Sequence, residues 1–460
     1  MKEYITPNEE ALFGANDTET IQNAIKAACL DGCRKIVIPR YNMRTDKTEW
    51  RIPAAILLPS NFTVILDNCY MVQETGIYDN MFRNEMAVNK SGGDHTEQEN
   101  IAIIGEGNAV LDGGVHNGCF EKTAGKYKLD TIWNNNLLSF TNVNGLREEN
   151  LKITNHRWWG IMHLFCRNVK IKNLDFRSIP HVENMDNIDL RVGCTHFEIE
   201  NVTGKSGDDT IALNALNGWR SFRHVSYKDT FIHDVKIRNV ISDSHTCYGI
   251  RILSQEGNKI YNIDVDTFLD SSEHFSKKRP GSTLALGSPL YYSNVRCAPG
   301  DVHHINIKNV TSRGKYAIIV NNDLEDSKIS NFHLFDDGNS MVDTGFEANR
   351  NGPPPKYADT FFKNVTFEHL FYGSNQLELC TDMPLQKGNY RDTAFNLINM
   401  FGELNLKDVN IDKVGQILKV NGGLTVNIDG FNINECDKGF EIAEDSAVFI
   451  DGEKITEGKR

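Results

Sequence analysis

Three aspartates in two short stretches of the chain have the residue types and the spacing for acid and base chemistry. The first stretch is Asn184–Asp189 (NMDNID), which contains Asp186, and the second is Gly207-Asp208-Asp209. Asp208 follows Asp186 by 22 positions (208 − 186). If one turn of a coiled β structure uses that many residues, the second stretch lies directly above the first, about 4.8 Å away. A neutral carboxylic acid beside an ionised one can cleave a glycosidic bond by general acid and base catalysis.

The elements that must position these residues are short strands of one repeating kind. In most units an Asn or Asp is followed by an alternating apolar strand and a turn, and the spacing of the units drifts from about twenty to about forty residues. The units are Asn100–Gly105, Asn150–Asn155, Asn168–Asn173, His196–Asn201, Asp234–Asn239, Asn262–Val265, His304–Asn309, Lys328–Asn331, Asn364–Phe367 and Leu404–Asp408. No single turn can bury its apolar face alone, so stacking must supply the core.

This pattern predicts an all-β chain, a single-stranded right-handed parallel β-helix. A β-sandwich or a propeller is the alternative, but Asn-Gly hairpin signals between paired strands are too few for either. Near the start, Asn16 and Glu19 have the spacing of a capping box and precede an apolar helical face. We expect that helix to cap the open end of the coil, because an exposed sheet edge must be covered.

We predict one domain over residues 1–460. Residues 1–40 would form the cap helix and first strand, and residues 41–455 the coils, with loop insertions near 214–230, 266–301 and 336–360. The formal net charge of −13 argues against nucleic acid or an anionic membrane as the main partner. The ten cysteines are scattered without a metal-binding spacing, so we expect neither a metal nor a cofactor.

No basic segment followed by an apolar core opens the chain, and we therefore expect a cytoplasmic location, or a secreted one if a leader has been trimmed. Nor does any apolar run of about 18 residues suggest a membrane span.

The two aspartate stretches also carry a family resemblance. Asn184–Asp189 is similar to an Asn-Thr-Asp-Gly-x-Asp motif, Gly207–Asp209 to a Gly-Asp-Asp motif, and Ile101–Gly114 to an early coil. With these motifs, the stretch from about Asn100 to Phe268 resembles glycoside hydrolase family 28, the polygalacturonase-like group of the pectate-lyase-like right-handed β-helix superfamily. The resemblance implies that Asp208 is the general acid, while Asp186 and Asp209 activate water for attack with inversion.

Two family motifs are altered. No Gly-His-Gly follows the second aspartate stretch, and His224, or else His245 or Tyr248, is the candidate replacement. The family's Arg-Ile-Lys corresponds to Arg251-Ile252-Leu253, which lacks the lysine. Loss of that point charge weakens recognition of a uronate carboxylate, so a modified or branched uronide stays open as substrate.

The sequence therefore predicts an inverting glycoside hydrolase that cleaves a pectin-like or other uronide-containing oligosaccharide. The alternatives are a calcium-dependent polysaccharide lyase and a non-catalytic carbohydrate-binding β-helix. The partner is an oligosaccharide or polysaccharide, and the sequence leaves open the sugar, the linkage, endo or exo action, and whether the chain forms a homo-oligomer. The predicted catalytic residues are Asp186, Asp208 and Asp209, and the predicted substrate-binding residues are Asn184, Asp189, Arg251, His224, Tyr248 and Trp159.

Overall fold

The structure is a computed structural model of the 460-residue chain. It describes residues 2–77, 79–87, 96–114, 136–156, 158–177, 184–216, 229–244, 247–272, 282–287, 297–314, 316–335, 340–343, 346–347, 356–357, 359–373 and 393–456. Among the described helices, none is long and apolar enough to cross a membrane.

The described residues fall into two compact units, and the single domain expected from the sequence stays a prediction. The first unit contains the described residues of Met1–Ile211 and Trp219–Thr230, and the second contains those of Ala212–Gly218 and Phe231–Arg460. Within each unit, long parallel strands stack coil on coil as a right-handed parallel β-helix, which confirms the predicted fold class.

The first unit begins with two helical segments, a 3-10 helix Glu10–Leu12 and the α-helix α1 Asp17–Asp31, and continues with strands. These strands are β1 Lys35–Pro39, β2 Trp50–Ile52, β3 Ile56–Leu58, β4 Phe62–Asp67, β5 Tyr70–Gln73, β6 Phe82–Asn84, β7 Gln98–Glu106, β8 Val110–Asp112, β9 Leu138–Thr141, β10 Val143–Thr154, β11 Ile161–Leu164, β12 Arg167–Arg177, β13 Ile188–Arg191 and β14 Thr195–Ser206.

The second unit contains all but the first residue of β15 and every later strand. These strands are β15 Ile211–Ala215, β16 Ile232–Ser244, β17 Tyr248–Ser254, β18 Ile260–Asp270, β19 Ser282–Leu286, β20 Val302–Ser312, β21 Tyr316–Val320, β22 Leu324–Phe335, β23 Ser340–Asp343, β24 Phe346–Glu347, β25 Lys356–Tyr357, β26 Thr360–Gly373, β27 Thr393–Leu397, β28 Met400–Val420, β29 Leu424–Ile442, β30 Ala447–Ile450 and β31 Glu453–Ile455.

The N-terminal helix forms as its capping residues predict. The Asn16 side chain accepts a hydrogen bond from the Glu19 amide, and Gly32 ends the helix in the left-handed conformation. The Gln22 side chain both donates to the Leu57 carbonyl, at 3.1 Å, and accepts from the Leu57 amide, at 3.0 Å. These two hydrogen bonds satisfy main-chain groups of β3 that would otherwise face an open edge, as expected of a cap.

Asparagines set the corners between the faces of the coil. Asn150, Asn173 and Asn201 all have positive φ, between 56° and 59°. Each side chain contacts the next, because the Asn173 amide donates to Asn150 at 2.8 Å and the Asn201 amide to Asn173 at 2.9 Å. The sequence pattern placed such residues at strand ends, whereas β10, β12 and β14 run through them. Asparagine tolerates left-handed backbone, so the ladder of main-chain hydrogen bonds continues across the bend.

Two ranges predicted as loops contain strands. Strand β19 lies within 266–301, and β23, β24 and β25 lie within 336–360. β19 pairs in parallel with β17 and β21, with Leu284 level with Ile250 and Ile318. A five-residue strand such as β19 is too short for alternation of apolar and polar residues to identify it. It is recognised only through the strands that pair with it.

The lumen of the first unit contains an unexpected polar pair. Glu148 occupies a column whose neighbours are Ile103 and Ile171, and His163 is level with Phe140 and Leu190. His163 Nε2 lies 2.9 Å from Glu148 Oε2, and neither side chain is exposed. The other polar atoms of the pair, Glu148 Oε1 and His163 Nδ1, are buried without a hydrogen-bond partner. Such a pair stabilises the fold less than well-packed apolar residues would.

Replacing one member of this pair should be more harmful than replacing both. We expect Glu148→Ile or His163→Phe alone to lower the free energy of unfolding by about 3 kcal/mol, because the remaining partner is left buried and uncompensated. The double variant should recover most of that loss, since both columns are then apolar. Urea unfolding of the four proteins measures the effect, and a double variant as unstable as the sum of the two single variants would contradict it.

Candidate active site

The two aspartate stretches lie on consecutive coils of the first unit. The Asn187 amide donates to the Asp209 carbonyl at 3.0 Å, and the Gly207 amide donates to the Met185 carbonyl at 3.0 Å. In the β11–β13 pair, Ile161 is level with Ile188, and the Ile161 amide donates to the carbonyl of Asn187, the residue before Ile188. The same offset makes Asp186 level with Asp209. The predicted stacking is therefore present, with Asp209 rather than Asp208 opposite Asp186.

The bend at Gly207 brings the two adjacent carboxyl groups to one side. Strand β14 ends at Ser206 and the chain bends at 207–208, whereas successive residues of a straight strand point to opposite faces. Carboxylate oxygens of Asp208 and Asp209 consequently lie within 4.8 Å of one another. The Ser206 hydroxyl donates to the Asp208 carbonyl at 2.8 Å and fixes the bend.

Asp208 also joins the two stretches directly. Its Oδ2 accepts a hydrogen bond from the main-chain amide of Asn184 at 2.6 Å. Asn184 has a φ of 62°, a conformation that asparagine adopts more readily than most residues. The Asn184 backbone, rather than its carboxamide, thus contacts the candidate acid. Substrate binding by Asn184 stays a prediction.

The three carboxyl groups differ in exposure. Asp186 is 5% exposed and Asp209 is 1% exposed, whereas Asp208 is half-buried. Asp208 is thus the carboxyl of this cluster that offers the largest surface to a bound molecule. A proton donor to a leaving group must reach that group within hydrogen-bond distance, and Asp208 meets this requirement better than its two neighbours.

An arginine that the sequence reasoning missed lies beside Asp189 of the first aspartate stretch. Arg191 lies on β13 two residues after Asp189, and its Nη1 is 4.0 Å from Asp189 Oδ1. Its guanidinium carbon lies 4.9 Å from the ring centroid of Trp159. A spacing of two along a strand places side chains on one face, and this rule could have identified Arg191 from Asp189.

Trp159 is 5% exposed and packs in an apolar cluster. The other members of this cluster are Trp158, Met162, Leu164, Phe165 and Val192. Stacking of Trp159 on a sugar stays a prediction, as does substrate binding by the fully buried Asp189.

A second missed residue, His156, lies on the coil before Asp186. Its ring contacts the main-chain carbonyls of Met185 and Asp186 and is not exposed at all. Burial lowers the pKa of His156 to about 4, and the two carbonyls oppose that shift only in part. The imidazole is therefore neutral at pH 7. No regular spacing links position 156 to 186, so the contact could not be read from the sequence.

The remaining predicted residues belong to the second unit or fall outside the described residues. Tyr248 and Arg251 belong to the second unit, where the Arg251 guanidinium carbon lies 5.3 Å from the Tyr248 ring centroid. Arg251 is 9% exposed. His224 and His245, the candidate replacements for the family histidine, fall outside the described residues.

Comparison with known proteins defines the fold class. The sequence matches no protein-family model and no curated protein. The family 28 exopolygalacturonase of Yersinia enterocolitica shares 13% identity at a TM-score of 0.52, over 98% of this chain and 79% of that one. A double mutant of the tailspike protein of E. coli bacteriophage HK620 shares 12% identity at a TM-score of 0.50, over 97% and 80% of the two chains. These likenesses support a right-handed parallel β-helix, and membership of family 28 stays a prediction.

The buried His156 should make the stability of the fold sensitive to acid. Its folded-state pKa of about 4 lies below the ordinary value of 6.5, so its contribution is complete above pH 6.5 and is lost as the pH falls toward 4. Between pH 7 and pH 5 we expect the unfolding free energy of the wild type to fall by about 2 kcal/mol more than that of His156→Gln. Urea unfolding at the two pH values measures this difference, and equal losses in the two proteins would rule out the assignment.

Proposed function

We propose that this protein is an inverting glycoside hydrolase of the polygalacturonase-like family 28, acting on a pectin-like or other uronide-containing oligosaccharide. The observation that carries the proposal is the contact between the two aspartate stretches, in which the Asp208 carboxylate accepts the Asn184 amide one coil away. A turn ladder of Asn and Asp residues requires neither the bend at 207–208 nor two neighbouring carboxyl groups. The fold shared with an exopolygalacturonase supports the proposal.

Each carboxyl group has a distinct role in this reaction. Asp208 donates its proton to the glycosidic oxygen, and the bond between the anomeric carbon and that oxygen breaks with its electron pair moving to the oxygen. Water attacks the anomeric carbon from the opposite face and loses a proton to Asp186 or Asp209. The sugar product has the inverted configuration, and a proton returned through solvent restores Asp208.

We propose that fewer basic residues bind the acidic sugar here than in the family motif. Arg251 is retained, whereas Leu253 stands where the motif has lysine. An arginine binds a carboxylate through two parallel hydrogen bonds, but the missing lysine removes one point charge. We therefore favour a uronide with a neutral substituent or branch over plain galacturonan.

A calcium-dependent lyase is the rival that one observation favours. The carboxylate oxygens of Asp208 and Asp209 lie within 4.8 Å of one another, and hard cations bind clustered carboxylates. A lyase would release an unsaturated product that absorbs ultraviolet light and would stop in a chelator. A hydrolase would release reducing ends without such absorbance and would continue.

Removing the candidate acid should stop turnover without unfolding the protein. We expect Asp208→Asn to lower kcat about 1000-fold, the middle of the range for a lost general acid or base. Asp186→Asn and Asp209→Asn should have losses of the same order. Reducing-end release from defined homogalacturonan and rhamnogalacturonan oligosaccharides measures kcat, and proton NMR of the first product reports its anomeric configuration.

Asp175→Asn is the matched control for these variants. Asp175 is a half-buried carboxylate of β12 in the same unit, bonded to Thr203 at 3.2 Å and paired with Arg177 at 3.1 Å. Its replacement should leave kcat unchanged. Retained configuration of the product, or full activity of Asp208→Asn, would refute the proposed mechanism. Binding without turnover by the wild type would instead point to a non-catalytic carbohydrate-binding protein.

A further inference from the structure

Three consecutive coils of the first unit meet at two main-chain carbonyls. The Met185 carbonyl accepts the Gly207 amide from the coil above at 3.0 Å, and the Asp186 carbonyl accepts the Gly160 amide from the coil below at 2.8 Å. The His156 ring contacts both carbonyls from below. These two carbonyls belong to the first aspartate stretch itself, because Met185 and Asp186 follow Asn184 directly in the chain.

The imidazole is held in a fixed orientation. His156 is fully buried, and its ring meets the edge of Phe176 at a centroid distance of 6.1 Å and an interplanar angle of 83°. Phe176 also approaches Gly160, where an added Cβ would lie 2.9 Å from the Phe176 ring and 2.8 Å from the Asn187 carbonyl. The packing therefore allows neither the ring nor the adjacent backbone much room to move.

The contact joins the histidine to both aspartate stretches. The Met185 carbonyl receives the Gly207 amide, and Gly207 is followed by Asp208. Asp208 in turn accepts the amide of Asn184, which precedes Met185. A small rotation of the peptide at 185–186 would thus move the Asp186 carboxyl and the hydrogen-bond donor of Asp208 together.

We propose that His156 is a positioning residue that fixes the main chain at Met185–Asp186 and so sets the separation of the Asp186 and Asp208 carboxyl groups. The proposal rests on the hydrolase function proposed above. His156 does not touch substrate, because its side chain is fully buried. Its role is to keep the acid and the base at the distance that an intervening water requires.

A purely structural histidine would behave differently, and the chain offers a matched control. His163 is equally buried, lies in the same unit, and contacts Glu148 in the lumen rather than the aspartate stretches. Substitution of either histidine should reduce stability. Only substitution of His156 should change the catalytic geometry.

Kinetics on whichever of the homogalacturonan and rhamnogalacturonan oligosaccharides the wild type cleaves distinguish the two roles. We expect His156→Leu to lower kcat about 100-fold per folded molecule, the loss typical of a misplacement of about 1 Å, with KM nearly unchanged. His156→Gln keeps a donor and should recover most of that loss. His163→Leu should leave kcat per folded molecule near that of the wild type. Equal losses in His156→Leu and His156→Gln, or an equal loss in His163→Leu, would overturn the proposal.

Hydrogen exchange tests the positioning role without any substrate. In His156→Leu, exchange at the amides of Asn184, Gly160 and Gly207 should accelerate at least about tenfold relative to the remaining core amides. His156→Gln and His163→Leu should not show this selective change. Unchanged exchange at these three amides would overturn the positioning role, whatever the activity. A wild type that cleaves none of the oligosaccharides would instead overturn the hydrolase function.

Discussion

Parallel main-chain hydrogen bonding at a constant register is the constraint on which the rest of this structure depends. Each coil of a unit repeats the level of the one before it, so a residue's height is set by its neighbours' backbone rather than by its own side chain. The asparagine corners make this possible, because left-handed residues such as Asn173 turn the strand without interrupting the ladder. Side chains that need not pack in the lumen are then free to vary.

The candidate site uses this freedom. Inward positions such as Ile188 and Leu190 continue the apolar columns, while the residues between and before them carry carboxyl groups. Stacking converts a separation of some twenty residues in sequence into a separation of one coil, about 4.8 Å. Ionised carboxyl groups at such a spacing would repel one another. The fold supplies a main-chain donor there, because the Asn184 amide donates to Asp208 Oδ2.

The fold could be predicted because its signal is repeated along most of the chain, whereas several site features depend on single contacts. Asp186, Asp208 and Asp209 were found from one spacing, and Arg191 was within reach of the same reasoning, since it shares a strand face with Asp189. His156 was not, because its contact is with main-chain carbonyls and no regular spacing links position 156 to them. Glu148 interrupted the apolar alternation of β10 and could have been marked as a polar residue in the lumen.

The parallel β-helix does not by itself decide between cleaving a sugar and holding it, because one fold can carry different functions. The apolar columns of the lumen serve packing, and they are compatible with either cleaving or holding a sugar. The difference must lie in the surroundings of the carboxyl groups, because a proton donor and a proton acceptor in one step must differ in protonation state. Here they are unequal, with Asp208 half-buried and bonded to an amide and Asp209 almost fully buried beside it. Unequal surroundings of this kind distinguish one carboxyl group from the other, which the proposed acid and base roles need.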